Sequence, residues 1–132
     1  MKSKNKIVLD ASALLALLNR EQCQEKVAAV MDRVTMNTVN IAEVITKLAR
    51  LGIPASEIEL IVTGLDIETV DFDMSMAALA GNLITQTQEF GLSLGDRACL
   101  AFAEFQDYSV MTADKAWQNV QPCLKEEIQL IR

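Results

Sequence analysis

Apolar positions fall into two kinds of cluster along the chain. Five short runs rich in aliphatic and β-branched residues, at 7–9, 34–38, 67–70, 109–112 and 128–131, have the length and composition of buried strands. Between them the apolar spacing becomes helical. Ile41, Val44, Ile45 and Leu48 fall at i, i+3, i+4 and i+7, as do Ile58, Ile61, Val62 and Leu65, and again Met76, Leu79, Ala80 and Leu83. Each set predicts an amphipathic helix. Gly52 and Pro54 separate the first two, glycine as a helix stop and proline as a helix start. Residues 98–105 are apolar all round except at Glu104, which predicts a central helix buried between sheet and neighbours. Only residues 88–94 read as a structureless stretch, of loop length.

Strands separated by helical segments cannot be joined by tight hairpins. The economical arrangement is an α/β fold with three layers, a mainly parallel five-stranded sheet between helices. A length of 132 residues suits one domain, residues 1–132, built on a single core. With 51% hydrophobic and 23% charged residues the chain is not disordered. Its richest apolar run, 13–18, holds six residues, against the ~20 needed to cross a bilayer, so no membrane association is expected. Lys2, Lys4 and Lys6 before an apolar stretch imitate a signal peptide, but Asp10 interrupts that stretch and no small-residue cleavage pattern follows. A cytoplasmic location is expected.

Composition narrows the chemistry. Cys23, Cys99 and Cys123 are odd in number and far apart, which argues for small buried hydrophobes rather than a disulfide framework or thiolate metal site. The chain contains no histidine. That excludes Ser-His and Cys-His nucleophile pairs, imidazole acid–base catalysis of RNA self-cleavage, and His-ligated zinc. Any catalysis must run on carboxylates, hydroxyls, amines or a hard cation.

In a parallel sheet, ligands collect beyond the carboxyl ends of the strands, and four acids belong at that edge here. Asp10 ends the first, Glu43 lies in the first turn after the second, Asp96 opens the buried helix and Asp114 follows the fourth. Each has a structural explanation taken alone: Asp10 or Ser12 as a helix cap, Asn40 with Glu43 as a capping box, Asp96 and Asp114 as acids favoured at helix N-termini. Their convergence is what points to function. Carboxylates gathered in one partly dry pocket repel one another, and a divalent cation relieves that repulsion; oxygen donors alone suit Mg²⁺ or Mn²⁺. Asp71 and Asp73 read as surface acids or caps, and Trp117 as a packing residue.

Glu43, Lys47 and Arg50 fall at i, i+4 and i+7, on the side opposite Ile41, Val44, Ile45 and Leu48. This is either a solvated face with a Glu-to-Lys pair or a set of cations holding a phosphodiester backbone, with Arg97 and Lys115 adding charge beside Asp96 and Asp114. A net charge of −6 is the reverse of a nucleic-acid binder's usual footprint, so any such contact must rest on a local cationic rim.

These residues carry a resemblance. IVLDASALLALLNRE, NIAEV, LSLGDRACLAFA and VMTADKAW, in this order and covering the chain essentially end to end, resemble the acidic motifs of PIN domains, in particular the VapC-type ribonuclease toxins of toxin–antitoxin pairs. The resemblance implies a sheet order of 3-2-1-4-5 and metal-dependent hydrolysis of single-stranded RNA leaving 5′-phosphate ends. It carries the acidic quartet onto Asp10, Glu43, Asp96 and Asp114 as catalytic and metal-holding residues, and the small polar supports of the metal site onto Ser12 and Thr112. It further implies a cognate antitoxin and a homodimer. The alternatives are a Mg²⁺-dependent phosphoryl-transfer enzyme of another α/β family, whose aspartate pattern is missing here, and an inactive PIN-like module that only binds protein.

Overall fold

Buried parallel strands must be apolar on both faces, and the computed structural model, which describes residues 6–132, builds its sheet from all five of the apolar runs. Lys2 and Lys4 of the leader-like start lie outside the described residues. In chain order the elements are β1 (Ile7–Leu9), α1 (Ala11–Leu18), α2 (Gln24–Ala28), β2 (Val34–Asn37), α3 (Thr38–Arg50), α4 (Ala55–Gly64), β3 (Glu68–Val70), α5 (Met74–Asn82), α6 (Ile84–Thr87), α7 (Leu94–Gln106), β4 (Ser109–Thr112) and β5 (Ile128–Leu130). Single 3₁₀ turns occupy Met31–Arg33 and Gln88–Phe90, and a longer 3₁₀ run spans Lys115–Cys123.

The strand order is β3-β2-β1-β4-β5 and every pairing is parallel. From the central β1 the chain first builds outward through β2 and β3, then returns to add β4 and β5 on the other side. The order therefore reverses between β1 and β4, where a parallel sheet opens a crevice at its carboxyl edge. Register places Val8 between Thr35 and Val110, and Leu9 beside Met111, so β1 and β4 end side by side.

Strand side chains alternate between the faces, and this divides the apolar interior into two layers where one core was expected. Ile7, Leu9, Met36 and Met111 pack with α1, α3 and α4 on one face. Val8 and Val110 pack with α5, α7 and Trp117 on the other. Helix α7 is the central helix: residues 98–103 are fully buried, whereas Phe105 at its end is 54% exposed. Burying a side chain such as Phe102 contributes about 1.5–3 kcal/mol. Trp117 is fully buried, in agreement with a packing role.

Local chemistry explains where elements begin. Asn37 Oδ1 accepts from the backbone N–H of Val39 at 2.8 Å and Asn40 at 3.2 Å, so α3 starts at Thr38 and shortens the 34–38 run by a residue. Glu43 consequently lies in the second helical turn, not the first. Asp73 caps α5 by accepting from Met76 N–H, and Asp71 is exposed. Residues 88–94 are more ordered than their composition suggests: a 3₁₀ turn leads to Gly91, whose left-handed φ of 68° favours a glycine, and then to Ser93, the cap of α7. Of the cysteines only Cys99 is buried; Cys23, at the start of α2, is half-buried against the edge of the first layer, and Cys123, at the end of the long 3₁₀ run, is exposed. Among the described residues no helix is long and apolar enough to cross a membrane.

Candidate active site

Beyond the ends of β1 and β4 lies a pocket of about 510 Å³ lined by Asp10, Ser12, Glu43, Asp96 and Asp114, with Lys47, Arg50 and Arg132. The four acids come from four separate stretches of chain and rise in exposure from the floor of the pocket to its mouth. Asp10 is 5% exposed, Glu43 and Asp96 are half-buried, and Asp114 stands open to solvent.

The capping explanations hold for three of the four. Asp10 is the N-cap of α1, its Oδ1 accepting from Ala13 N–H at 2.9 Å. Asp96 and Ser93 form a capping box at the start of α7, with Ser93 N–H donating to Asp96 Oδ2 at 3.0 Å and Asp96 N–H to Ser93 Oγ at 3.1 Å. Asp114 Oδ1 accepts from Ala116 N–H at 3.0 Å. Glu43 is the exception. Asn37 caps α3, so there is no Asn40–Glu43 capping box; instead Asn40 Nδ2 donates to Glu43 Oε1 at 2.8 Å and to the Gly95 carbonyl at 3.0 Å. Capping engages only one oxygen of Asp96 and of Asp114, and leaves the other for a ligand.

Hydroxyls surround the deepest acid. Ser12 Oγ lies 2.8 and 2.9 Å from the two oxygens of Asp10, and Thr112 Oγ1 donates to Asp10 Oδ2 at 2.6 Å. The same hydroxyls accept from backbone N–H groups beyond β4, Ser12 from Ala113 and Thr112 from Asp114, each at 3.0 Å. Burial nevertheless dominates and pushes Asp10 up to about 6, against the opposing hydrogen bonds of Thr112, Ala13 and Ser12. Asp96 is also raised, first by burial and further by the charge of Asp114, while the Ser93 bonds oppose the shift. Cys99 lies beneath them fully buried, and burial holds it as an unreactive thiol.

The donor set fits a hard divalent ion: oxygens alone, no imidazole, and a buried carboxylate whose charge lacks a cation. The carboxylates border the pocket without closing into a cage, and among the described residues no three acids stand close enough to form a ready ligand shell. That spacing is what like charges adopt while Asp10, Asp96 and Asp114 are each turned toward a helix N-terminus and Glu43 toward the Asn40 amide.

The expected cations divide. Lys47 and Arg50 line the pocket. Arg97 does not: its guanidinium donates to the Ala80 carbonyl at 2.9 Å, tying α7 to α5. Lys115 is exposed on the 3₁₀ run and also stands outside the lining. Arg132 takes their place, ion-paired to Glu21 at 2.5 Å. Among the described residues Glu43–Lys47 is not an ion pair; Lys6–Glu68 and Arg132–Glu21 are.

A model of the PIN domain family matches residues 7–121. The chain belongs to the PIN domain family. Solved structures agree with it over nearly their whole length. A chain of the DNA-bound VapBC crystal structure from Salmonella typhimurium matches with a TM-score of 0.74 and 16% identity, covering 96% of this chain and 98% of that one. One from the VapBC-5 toxin–antitoxin structure of Mycobacterium tuberculosis gives 0.65 and 23%, covering 96% and 98%. One from the FitAcB structure of Neisseria gonorrhoeae gives 0.67 and 18%, covering 95% and 97%. No curated protein matches. At these identities the structural likeness establishes the fold alone.

In this PIN domain, sequence reasoning missed Asn37, the orienting role of Asn40, Gly95 and Arg132. Gly95 sits within LSLGDRACLAFA, where a glycine inside a helix is the available signal. A Cβ at Gly95 would overlap the Glu43 carboxylate. Nothing in the local pattern marks Arg132, which reaches the pocket only through the tertiary fold.

Proposed function

We propose that this PIN domain is a metal-dependent endoribonuclease that cleaves single-stranded RNA by hydrolysis, acting as the toxin of a toxin–antitoxin pair. The observation that carries the reading is the gathering of Asp10, Glu43, Asp96 and Asp114 around one pocket with Lys47 and Arg50 on its rim. Caps of helices that follow parallel strands share the carboxyl edge of the sheet, but Glu43 caps nothing, and an acidic chain has no structural reason to add Lys47 and Arg50 to that rim.

Asp10, Asp96 and Asp114, with Glu43, would hold Mg²⁺ or Mn²⁺. When bound, the ion supplies Lewis-acid chemistry, acidifying water and neutralising phosphate charge. Ser12 and Thr112 hold the Asp10 carboxylate in one orientation. Lys47 and Arg50 take the phosphates of the strand, offsetting the repulsion between RNA and a chain of net charge −6. Glu43 either joins the ion's ligands or orients water for attack in line with the departing 3′ oxygen, which leaves a 5′ phosphate. Neither route uses imidazole, in keeping with a sequence that has none.

RNA as substrate, an antitoxin and a homodimer follow from the VapC-type resemblance. Similar solved structures that are toxin–antitoxin complexes, such as the one from Klebsiella pneumoniae, support the antitoxin. The decisive experiment incubates purified protein with labelled single-stranded RNA and with duplex DNA, in Mn²⁺ or EDTA, beside Asp96→Asn. RNA cleavage that requires Mn²⁺ and fails in the variant is expected. Cleavage undiminished in excess EDTA, or equal in the variant, would overturn the reading.

A further inference from the structure

Asn37 and Asn40 are a fully buried pair of amides, 0% and 1% exposed, that capping alone does not explain. Asn37 Oδ1 caps α3 and its Nδ2 donates to Asn40 Oδ1 at 2.8 Å. Asn40 Nδ2 then spends its two hydrogens on Glu43 Oε1 and the Gly95 carbonyl. Flipping the Asn40 amide would set its oxygen against two acceptors and its nitrogen against the Asn37 donor, so the chain of bonds has one self-consistent direction. It runs from the end of β2 to the Glu43 carboxylate and crosses from α3 to α7.

Gly95 is the other half of the arrangement. It is the second residue of α7 and has no positive φ to require glycine, and the glycine-to-alanine preference of about 1 kcal/mol in helix interiors, smaller in the first turn, leaves no helical reason for a glycine. What glycine provides is room, since a Cβ there would meet all three atoms of the Glu43 carboxylate. The obstacle would be the far end of one flexible side chain.

We propose that Asn40 is a positioning residue which, braced by Asn37, holds the Glu43 carboxylate in the space left by the missing side chain of Gly95. A neutral amide fixes the carboxylate in place without pairing its charge with a cation, as a lysine would, and so leaves its second oxygen free to turn to an ion or an attacking water. The inference rests on the nuclease reading above and gives it two further residues, Asn40 and Gly95, that touch neither RNA nor ion.

Three proteins test it: wild type, Gly95→Ala and Asn40→Leu, each measured for Mn²⁺ affinity by calorimetry, for urea unfolding midpoint, and for kcat and KM on single-stranded RNA. Gly95→Ala is expected to unfold at the same urea concentration as wild type or a higher one, yet to lose about 10- to 100-fold in Mn²⁺ affinity or in kcat, with KM unchanged. Asn40→Leu should show the same functional loss together with a lower midpoint. Gly95→Ala with Mn²⁺ affinity and kcat within about twofold of wild type, well inside the loss typical of supporting residues, would overturn the proposal. So would a rise in KM alone, which would mean an RNA contact, or failure of Gly95→Ala to fold, which would mean that Gly95 makes room for something less yielding than Glu43. A wild-type protein that neither binds Mn²⁺ nor cleaves RNA would instead overturn the nuclease reading itself, and this inference with it.

Discussion

Asp10 and Thr112 stand 102 residues apart in sequence and meet through a 2.6 Å hydrogen bond from Thr112 Oγ1 to Asp10 Oδ2. The contact exists because β1 and β4 are parallel neighbours whose ends coincide, Leu9 lying opposite Met111. It gives the buried carboxylate a neutral donor and no counter-charge, so the cost of removing that charge from water is only partly offset. Three consequences can be measured.

The first is a pH dependence of stability in the absence of metal. Asp10 is raised from 3.8 to about 6 by burial, so between these values the folded protein binds the proton more tightly than the unfolded chain. Stability conferred by the protonated form is complete below about pH 4 and is lost as pH rises through about 6, in total roughly 3 kcal/mol. Asp96, also raised, adds a loss of the same sign; Glu68, lowered by Lys6, opposes it weakly because the pair is exposed. Urea midpoints in EDTA should fall from pH 4.5 to pH 7, and Asp10→Asn should flatten most of that slope. A midpoint that rises over this interval would contradict the account.

Thr112→Val removes the donor to Asp10 and the acceptor of Asp114 N–H at nearly constant volume. Leaving such buried groups unpaired costs about 1–3 kcal/mol. The variant should therefore unfold at lower urea concentration at pH 7.5, and the deficit should shrink at pH 4, where Asp10 is neutral. Equal deficits at both pH values would show that the loss is one of packing.

Much of this architecture is legible in the chain because buried parallel strands are short continuous apolar runs. The one-residue disagreement at Thr38 arises from Asn37, whose side chain captures two backbone N–H groups and ends the strand early. Strand order is different: apolar spacing fixes which segments are strands but not their sequence across the sheet, and only the family resemblance supplied it. Asp10, Glu43 and Asp114 were visible because each follows a strand, and Asp96 because it opens the buried helix. The Asn40–Glu43–Gly95 contact was not, since it joins α3 to α7 across 55 residues. Arg97 misled for a local reason. It adjoins Asp96 in sequence, but successive helical residues point about 100° apart, which turns its side chain to α5 and the Ala80 carbonyl.

Metal binding should compete with protons. If Asp10 holds the ion, Mn²⁺ must displace the proton bound with a pKa of about 6, so affinity should fall as pH drops below that value. At a free concentration of 100 times the dissociation constant the ion stabilises the fold by about 2.7 kcal/mol. Mn²⁺ should accordingly raise the melting temperature at pH 7.5, raise it much less at pH 5, and leave Asp10→Asn unmoved at either. A shift of equal size in that variant would place the ion elsewhere.

The cations make the last distinction. Lys47 and Arg50 line the pocket and are exposed, whereas Arg97 is half-buried, with its Nη1 on a backbone carbonyl and its Nε enclosed without a partner. Removing a phosphate contact weakens binding to any sequence and lowers the salt dependence by about 0.7 in log–log slope for a single strand. Lys47→Ala and Arg50→Ala should each raise KM for RNA and reduce the slope of log affinity against log salt by about that amount, with unfolding midpoints unchanged. Arg97→Ala should do the reverse, leaving KM and slope alone while lowering stability by about 1.5–3 kcal/mol, the scale of one lost charged hydrogen bond and its packed stem. If Arg97→Ala altered the salt slope as Lys47→Ala does, the strand would have to pass on the α5 side of Asp96, and the path of RNA along α3 would be wrong.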